Sequence, residues 1–438
     1  MRIPTPIAAS LLLAAFTIFL ILRQPSQLPL SPTQKESSAG TPQPLAPTKT
    51  ASPLDKLSLL GEIPDWRELE PYQYTIARGD FEHLLQNVFT TDSSWQLFIT
   101  IHEDSAEIVT SSNPDEPPFI LNFTTEEIKR PSPRNWKTTA GRSAPSPEKP
   151  LTDLHIAIDP GHIGGEWAKI EGRWFQIGQD KPVTEGDMTL HVAHLLKPLL
   201  ESYGARVSLV RSTTDPVTPY RPENFTALAE NDDSLSDPES LRLFTEKLFY
   251  RTSEIRARAT LVNELIKPDL VICLHFNADA WGDPKNPTLV PNNHFHILLN
   301  GAYTAEEIQL PDQRFVLLKK LLQSTHDEEL IVSKTIAETF AKITQLPPYV
   351  YHPSGKNFRA IDGSEYLYAR NLLANRLYDC PVIFMEPYVM NSVADYNRIQ
   401  AGDYPGLREI NGQFLPSIFQ EYAHALAAGL VKHYGKTP

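Results

Sequence analysis

From residue 151 to 438 the chain alternates short apolar runs with longer amphipathic ones, and this alternation limits its fold more than any other feature. Leu154 to Asp159, Ala205 to Val210, Leu270 to His275, Phe295 to Leu299 and Val382 to Met385 read as strands. Asp187 to about Tyr203, Ser253 to Ile266, Val332 to Ile343 and Leu415 to His433 read as helices. Asp187 is the expected cap of the first, Gly204 its stop, and Pro198 an interruption of its hydrogen bonding. The alternation predicts an α/β domain of three layers with a largely parallel or mixed central sheet.

The residues before 151 have a different character. Ile7 to Leu22 is apolar apart from Ser10 and Thr17 and lies between Arg2 and Arg23. At about 16 residues it falls between a signal-peptide core and a membrane span. Residues 1–23 are expected to be an uncleaved signal anchor, with a cleaved signal peptide as the alternative. Residues 24–53 are rich in Pro, Ser, Thr and Gln and read as an extended linker. Residues 54–130 read as a small α+β unit, with a helix over Phe81 to Phe89 and strands at Trp95 to Ile101, Ala106 to Thr110 and Pro118 to Phe123. A second Pro/Ser/Lys-rich stretch, 131–150, is expected to link it to the 151–438 domain. The formal charge of −13 argues against nucleic acid or anionic lipid as a partner through bulk electrostatics. The two cysteines, Cys273 and Cys380, each lie in a strand-like run and are expected to be buried free thiols.

Three of the predicted strands end in residues that carry chemistry. Ile158-Asp159-Pro160-Gly161-His162 closes the first, Leu274-His275-Phe276-Asn277-Ala278 follows another, and Ile383-Phe384-Met385-Glu386 ends the last. Glu185 sits just before the 187–203 helix. In open α/β sheets ligands gather where strands end and loops begin. A catalytic zinc takes three protein ligands and keeps one open position, which His162, Glu185 and His275 would satisfy. Glu386 closes an apolar run, where a carboxylate is costly without a purpose, and is the candidate proton carrier.

Those segments, with Thr184-Glu185-Gly186-Asp187-Met188-Thr189-Leu190, resemble in content and order the signatures of the zinc-dependent N-acetylmuramoyl-L-alanine amidases of the Amidase_3 type. Arg211, and Arg258 with Asn263, also resemble that pattern, and the likeness spans about 151 to 400. It implies Zn2+ on His162, Glu185 and His275, with Glu386 as the catalytic glutamate. It further implies cleavage of the bond between the lactyl group of muramic acid and L-alanine in peptidoglycan. Arg258 and Asn277 are expected oxyanion or substrate contacts. Peptidoglycan is the implied partner and a protein activator a further candidate, and residues 1–53 lead to the expectation of a place on the periplasmic side of a bacterial envelope, tethered to the inner membrane. The rival readings are a zinc peptidase or carboxypeptidase acting on the peptide stem, and a non-catalytic wall-binding protein.

The chain departs from the family pattern in several places. Ile163 stands where the family has Gly, and Asn391 comes one position closer to Glu386. The long 163–184 stretch carries Trp167, Trp174 and Phe175, which could stack on sugars or plug a loop. Residues 212–250 read as an acidic surface excursion, and 303–330 as a surface helix or a lid over the site. His294 and His296 share one side of a strand but are not expected on the metal.

Overall fold

A computed structural model describes residues 56–435. The expected anchor and first linker lie outside the described residues. Among those described, no helix is long and apolar enough to cross a membrane.

The first sheet is small and antiparallel, made of β1 (Ile99–Ile101), β2 (Ser105–Ile108) and β3 (Phe119–Asn122). Next come β4 (His155–Pro160), a hairpin of β5 (Trp174–Phe175) and β6 (Val183–Thr184), and β7 (Arg206–Leu209). They are followed by β8 (Leu270–Leu274), β9 (Phe295–Leu299), β10 (Arg359–Ala360), β11 (Leu367–Ala369) and β12 (Val382–Pro387). The main sheet has seven strands in the order β10-β11-β9-β12-β8-β4-β7. β7, β4, β8 and β12 run parallel, and β9 runs against β12. The sheet is therefore mixed.

Register decides where the chemistry falls. Pro160 stands opposite Leu274, and Leu274 opposite Met385, across three adjacent strands. The residues that follow, Gly161, His275 and Glu386, therefore emerge together at one edge. Gly161 N donates to Leu274 O at 2.8 Å and His275 N to Met385 O at 3.2 Å, so the alignment continues past the strands.

Both faces of the sheet are covered because its strands are apolar on both sides. Ile156, Ile158, Ile272, Leu274, Ile383 and Met385 pack beneath helices Glu185–Ser202, Thr325–Thr344 and Ile418–Tyr434. Ala157, Val271, Cys273, Val382 and Phe384 face Ala259, Val262, Trp136 and Tyr378. Cys273 and Cys380 are buried and unbridged, as expected.

Several boundaries differ from the sequence expectation for local reasons. The first long helix starts at Glu185 and not at Asp187. Asp187 lies in its first turn, where a negative charge suits the helix dipole, and accepts from Thr184 Oγ1 at 2.6 Å and Gly165 N at 2.8 Å. Trp95 lies in a turn over Ser93–Leu97, because the Asp92 carboxylate accepts from Ser94 N and delays the strand to Ile99. The final helix starts at Ile418, since Leu415 pairs with Arg408 in a hairpin and Pro416 follows it.

The 303–330 region is not a lid. Helix Pro311–Leu322 buries Phe315, Leu317, Leu318, Leu321 and Leu322 in one core with Leu69, Phe81, Leu85, Phe89, Ile99, Ile108 and Leu121 from the small α+β part. Lys320 Nζ donates to Cys380 O at 2.7 Å and Lys319 pairs with Asp379 at 3.0 Å, both at the entry of β12, the end opposite Glu386. Residues 131–150 are strapped to the sheet domain as well: Lys137 N donates to Asp269 Oδ1 at 2.9 Å and Thr139 N to Glu328 Oε1 at 2.9 Å. Leu318→Ala is expected to cost about 2–5 kcal/mol in urea unfolding and to lower the stability of both parts in a single transition. Unfolding of the small part alone would contradict a common core.

Candidate metal centre

His162 occupies the turn leaving β4 in a left-handed conformation, φ 61°, which a non-glycine residue holds only when its surroundings force it. The force comes from Arg258, whose Nη2 donates to His162 O and whose Nη1 donates to Pro160 O, each at 2.8 Å. Gly161 before it is required by space. A Cβ there would stand 2.3 Å from Cε1 of the His275 ring, so only glycine lets the two histidines close. Gly186 plays the same part for the helix, since a Cβ on it would meet the Ile163 carbonyl carbon at 2.4 Å.

The result is a tight convergence. His162 Nε2 lies 3.2 Å from Glu185 Oε2, and His275 Nδ1 lies 3.1 Å from Glu185 Oε1. The imidazoles stand edge to face, with centroids 4.9 Å apart. One ligand atom from each of the three residues lies within 4.8 Å of the others, the only such group of His, Cys, Asp or Glu among the described residues. His275 is steadied by stacking on Phe384 at 4.3 Å. The other nitrogen of His162, Nδ1, meets Glu171 Oε1 at 2.7 Å, while Glu171 Oε2 accepts from Ile163 N at 2.8 Å. A carboxylate behind a ligating histidine fixes the ring and raises its basicity.

The electrostatics fit a divalent cation. Burial pulls the His162 pKa down, but the Glu185 and Glu171 carboxylates overcome it and lift it to about 9. Burial alone would raise Glu185; the charge on His162 and hydrogen bonds from His162 and His275 outweigh it and hold Glu185 well below the usual carboxylate range. Two imidazoles and a carboxylate, backed by a second carboxylate, form a pocket of N and O donors with a deficit of positive charge. That is the donor chemistry of a catalytic zinc site.

Glu386 ends the neighbouring strand, opposite His296 in register. Burial raises its pKa, the charges of His275 and His162 oppose that rise, and Glu185 adds to it. After Pro387 the chain turns at Tyr388, φ 61°. Asn391 is fully buried: its Oδ1 accepts from Asp279 N and its Nδ2 donates to Thr288 O, each at 3.0 Å. Asn391 thus ties the loops that follow Glu386 and His275 together.

Other expected site residues fall elsewhere. Arg258 is not an oxyanion contact. It is buried, its guanidinium bound to Asp159 at 2.8 Å, to Glu254 at 2.7 Å and to the two carbonyls already named. Asn277 Oδ1 accepts from its neighbour Ala278 N at 2.7 Å, and its main chain pairs with Pro387 and Met390, so its visible role is to hold the loop. Arg211 donates to Gly186 O at 2.8 Å, and Asn263 to Leu377 O at 2.8 Å. Phe175 is buried against Trp281 and Tyr396, which makes it a plug. Trp167 packs on Phe249. The 212–250 region is not merely a surface excursion, because its Phe225, Leu248 and Phe249 form a small core around Ile163. Glu171 and Arg173 were missed. Their segment shows no periodicity, and only the folded loop brings them to the site.

A family model described as N-acetylmuramoyl-L-alanine amidase, Amidase_3, matches residues 156–406, more than half of the chain. The chain belongs to this amidase family. Among solved structures it is similar to the apo amidase Ami1 from Mycobacterium abscessus, at 16% identity and TM-score 0.35, covering 65% of this chain and 99% of that one. It is also similar to the CwlD amidase of Clostridioides difficile, solved in complex with the GerS lipoprotein, at 14% identity and TM-score 0.36, covering 64% and 98%. AmiC2 of Nostoc punctiforme gives 14% identity and TM-score 0.34, covering 65% and 99%. These structural likenesses are weak. No curated protein matches in sequence.

Two substitutions test the architecture of the amidase site. Gly161→Ala is expected to push the His275 ring aside and abolish stoichiometric zinc binding while the circular dichroism spectrum is kept. Glu171→Ala is expected to weaken zinc binding about 10–100-fold in a chelator competition. Unchanged affinity in both would remove the geometric account given above.

Proposed function

We propose that this amidase is a zinc hydrolase in which His162, Glu185 and His275 hold the ion and Glu386 moves the proton. The observation that carries the reading is the meeting of those three side chains within 4.8 Å at the strand edge that also presents Glu386. The bond cut joins the lactyl group of N-acetylmuramic acid to L-alanine, the reaction of the family to which the chain belongs. Zinc held there would supply Lewis acidity toward the amide carbonyl and toward water.

The chain's own residues do the rest. Glu386 accepts a proton from the attacking water at its carboxylate and returns it to the L-alanine nitrogen as the C–N bond breaks. Its raised pKa suits a group that must both take and give a proton. Glu171 fixes the His162 ring through Nδ1, and Arg258 fixes the backbone that carries the ring. Phe384 and the buried loop around Asn391 limit the freedom of His275 and Glu386.

An envelope location completes the proposal. It is supported by the apolar stretch Ile7 to Leu22 and the Pro-rich 24–53 segment, which suit export and tethering on the periplasmic side. The test is mass spectrometry of fragments released from purified sacculi. Wild type is expected to release stem peptides beginning with L-alanine, and a chelator is expected to stop that release. Glu386→Gln is expected to keep zinc and lose turnover by at least about 100-fold, and His275→Ala to lose both. Shortened stems still attached to muramic acid would mark a peptidase instead.

A further inference from the structure

The cations around the centre are committed to the protein itself, with one exception. Arg258 and Arg211 are buried and donate to carboxylates and main-chain carbonyls. Arg173 is different. Its main chain is fixed to the site, N donating to Ala168 O at 2.8 Å and O accepting from Glu185 N at 3.2 Å. Its Nε stands 3.6 Å from Glu185 Oε2, beyond hydrogen-bond range, and its side chain is 42% exposed. Among the described residues neither Nη has a hydrogen-bond partner. Its ion pair with Glu185 puts it beside the centre, and its charge lowers the pKa of both Glu185 and Glu386. Lys169 lies nearby in sequence, its Nζ 4.7 Å from the centroid of the half-buried Trp174 ring.

An arginine with a fixed backbone, an exposed head and unspent donors is poised to bind an anion. Its planar fork matches a carboxylate in two-point fashion, which a lysine does not reproduce. During cleavage the L-alanine nitrogen must lie next to Glu386, so the residue that follows L-alanine in the stem must lie close by as well. Resting on the amidase reading above, we propose that Arg173 is a specificity-determining residue that binds a free carboxylate on the stem residue following L-alanine. The enzyme is thereby selective for acidic stems over amidated ones.

The experiment uses zinc-loaded full-length enzyme and two synthetic substrates. One is N-acetylmuramoyl-L-alanyl-D-glutamate with its carboxyls free; the other is the same compound with both carboxyls amidated. KM and kcat are read separately, zinc content is measured, and calorimetry follows binding of both compounds to the Glu386→Gln variant with and without Arg173→Gln. Wild type is expected to show a KM about 10–100-fold lower for the acidic substrate, the size of a charge-assisted hydrogen bond. Arg173→Gln should erase that difference by raising the acidic KM while the amidated KM is held, and any change in kcat from the charge lost beside Glu185 should fall equally on both substrates. Arg173→Lys should restore part of it. The calorimetric Kd should follow the same pattern. A KM difference between the two substrates that survives Arg173→Gln, a fall in kcat with no change in that difference, or loss of zinc would each overturn the proposal and assign Arg173 to the metal centre or the reacting carbonyl. Wild type that cleaves both substrates with the same KM would sink the anchor alone. Wild type that cleaves neither would count against the amidase reading.

Discussion

The centre depends on a buried charge cluster that touches no ligand atom. Asp159, Glu254 and Arg258 are all almost fully buried. Arg258 joins the two carboxylates, Tyr378 OH donates to Asp159, and Thr218 N donates to Glu254 Oε2 at 2.9 Å. Two negative charges and one positive charge in an apolar layer would be costly without those bonds. Breaking such a cluster by removing one partner typically costs about 3–5 kcal/mol. What the cluster secures is a backbone shape, because the remaining donors of Arg258 fall on the carbonyls of Pro160 and His162 and hold the turn that aims the first imidazole.

The long loop after β4 and the 212–250 region form a second level of support. Ile163 sinks fully into a pocket made by Phe225, Leu248 and Phe249. The residue after His162 and the 212–250 region are therefore two halves of one contact. That contact pins the segment whose Glu171 braces His162 from behind.

Much of this was legible in the sequence because it depends on short-range patterns. Apolar runs such as Leu270 to His275 could only be strands of a covered sheet, and a parallel register brings their ends together. That is why the sequence alone groups His162, His275 and Glu386, while Glu185 follows from its place at the start of a helix. The failures were contacts that no local pattern encodes. Arg258 looked available because sequence gives no sign that Asp159 and Glu254 would enclose it. Glu171 and Arg173 looked like loop charges because a segment without periodicity gives no direction to its side chains. The helix at 311–322 looked like surface because its apolar partner lies about two hundred residues earlier in the chain.

That last partnership has a consequence for how the molecule is divided. Phe315, Leu318, Leu321 and Leu322 are covered by residues between Leu69 and Phe123. A chain beginning at the first strand of the main sheet would leave that helix with a bare greasy flank. The part between Leu69 and Phe123 is therefore a wall of the enzyme and not a detachable appendage. Through Lys319 and Lys320 on that helix, the wall is tied directly to the entry of β12, the strand whose far end carries Glu386.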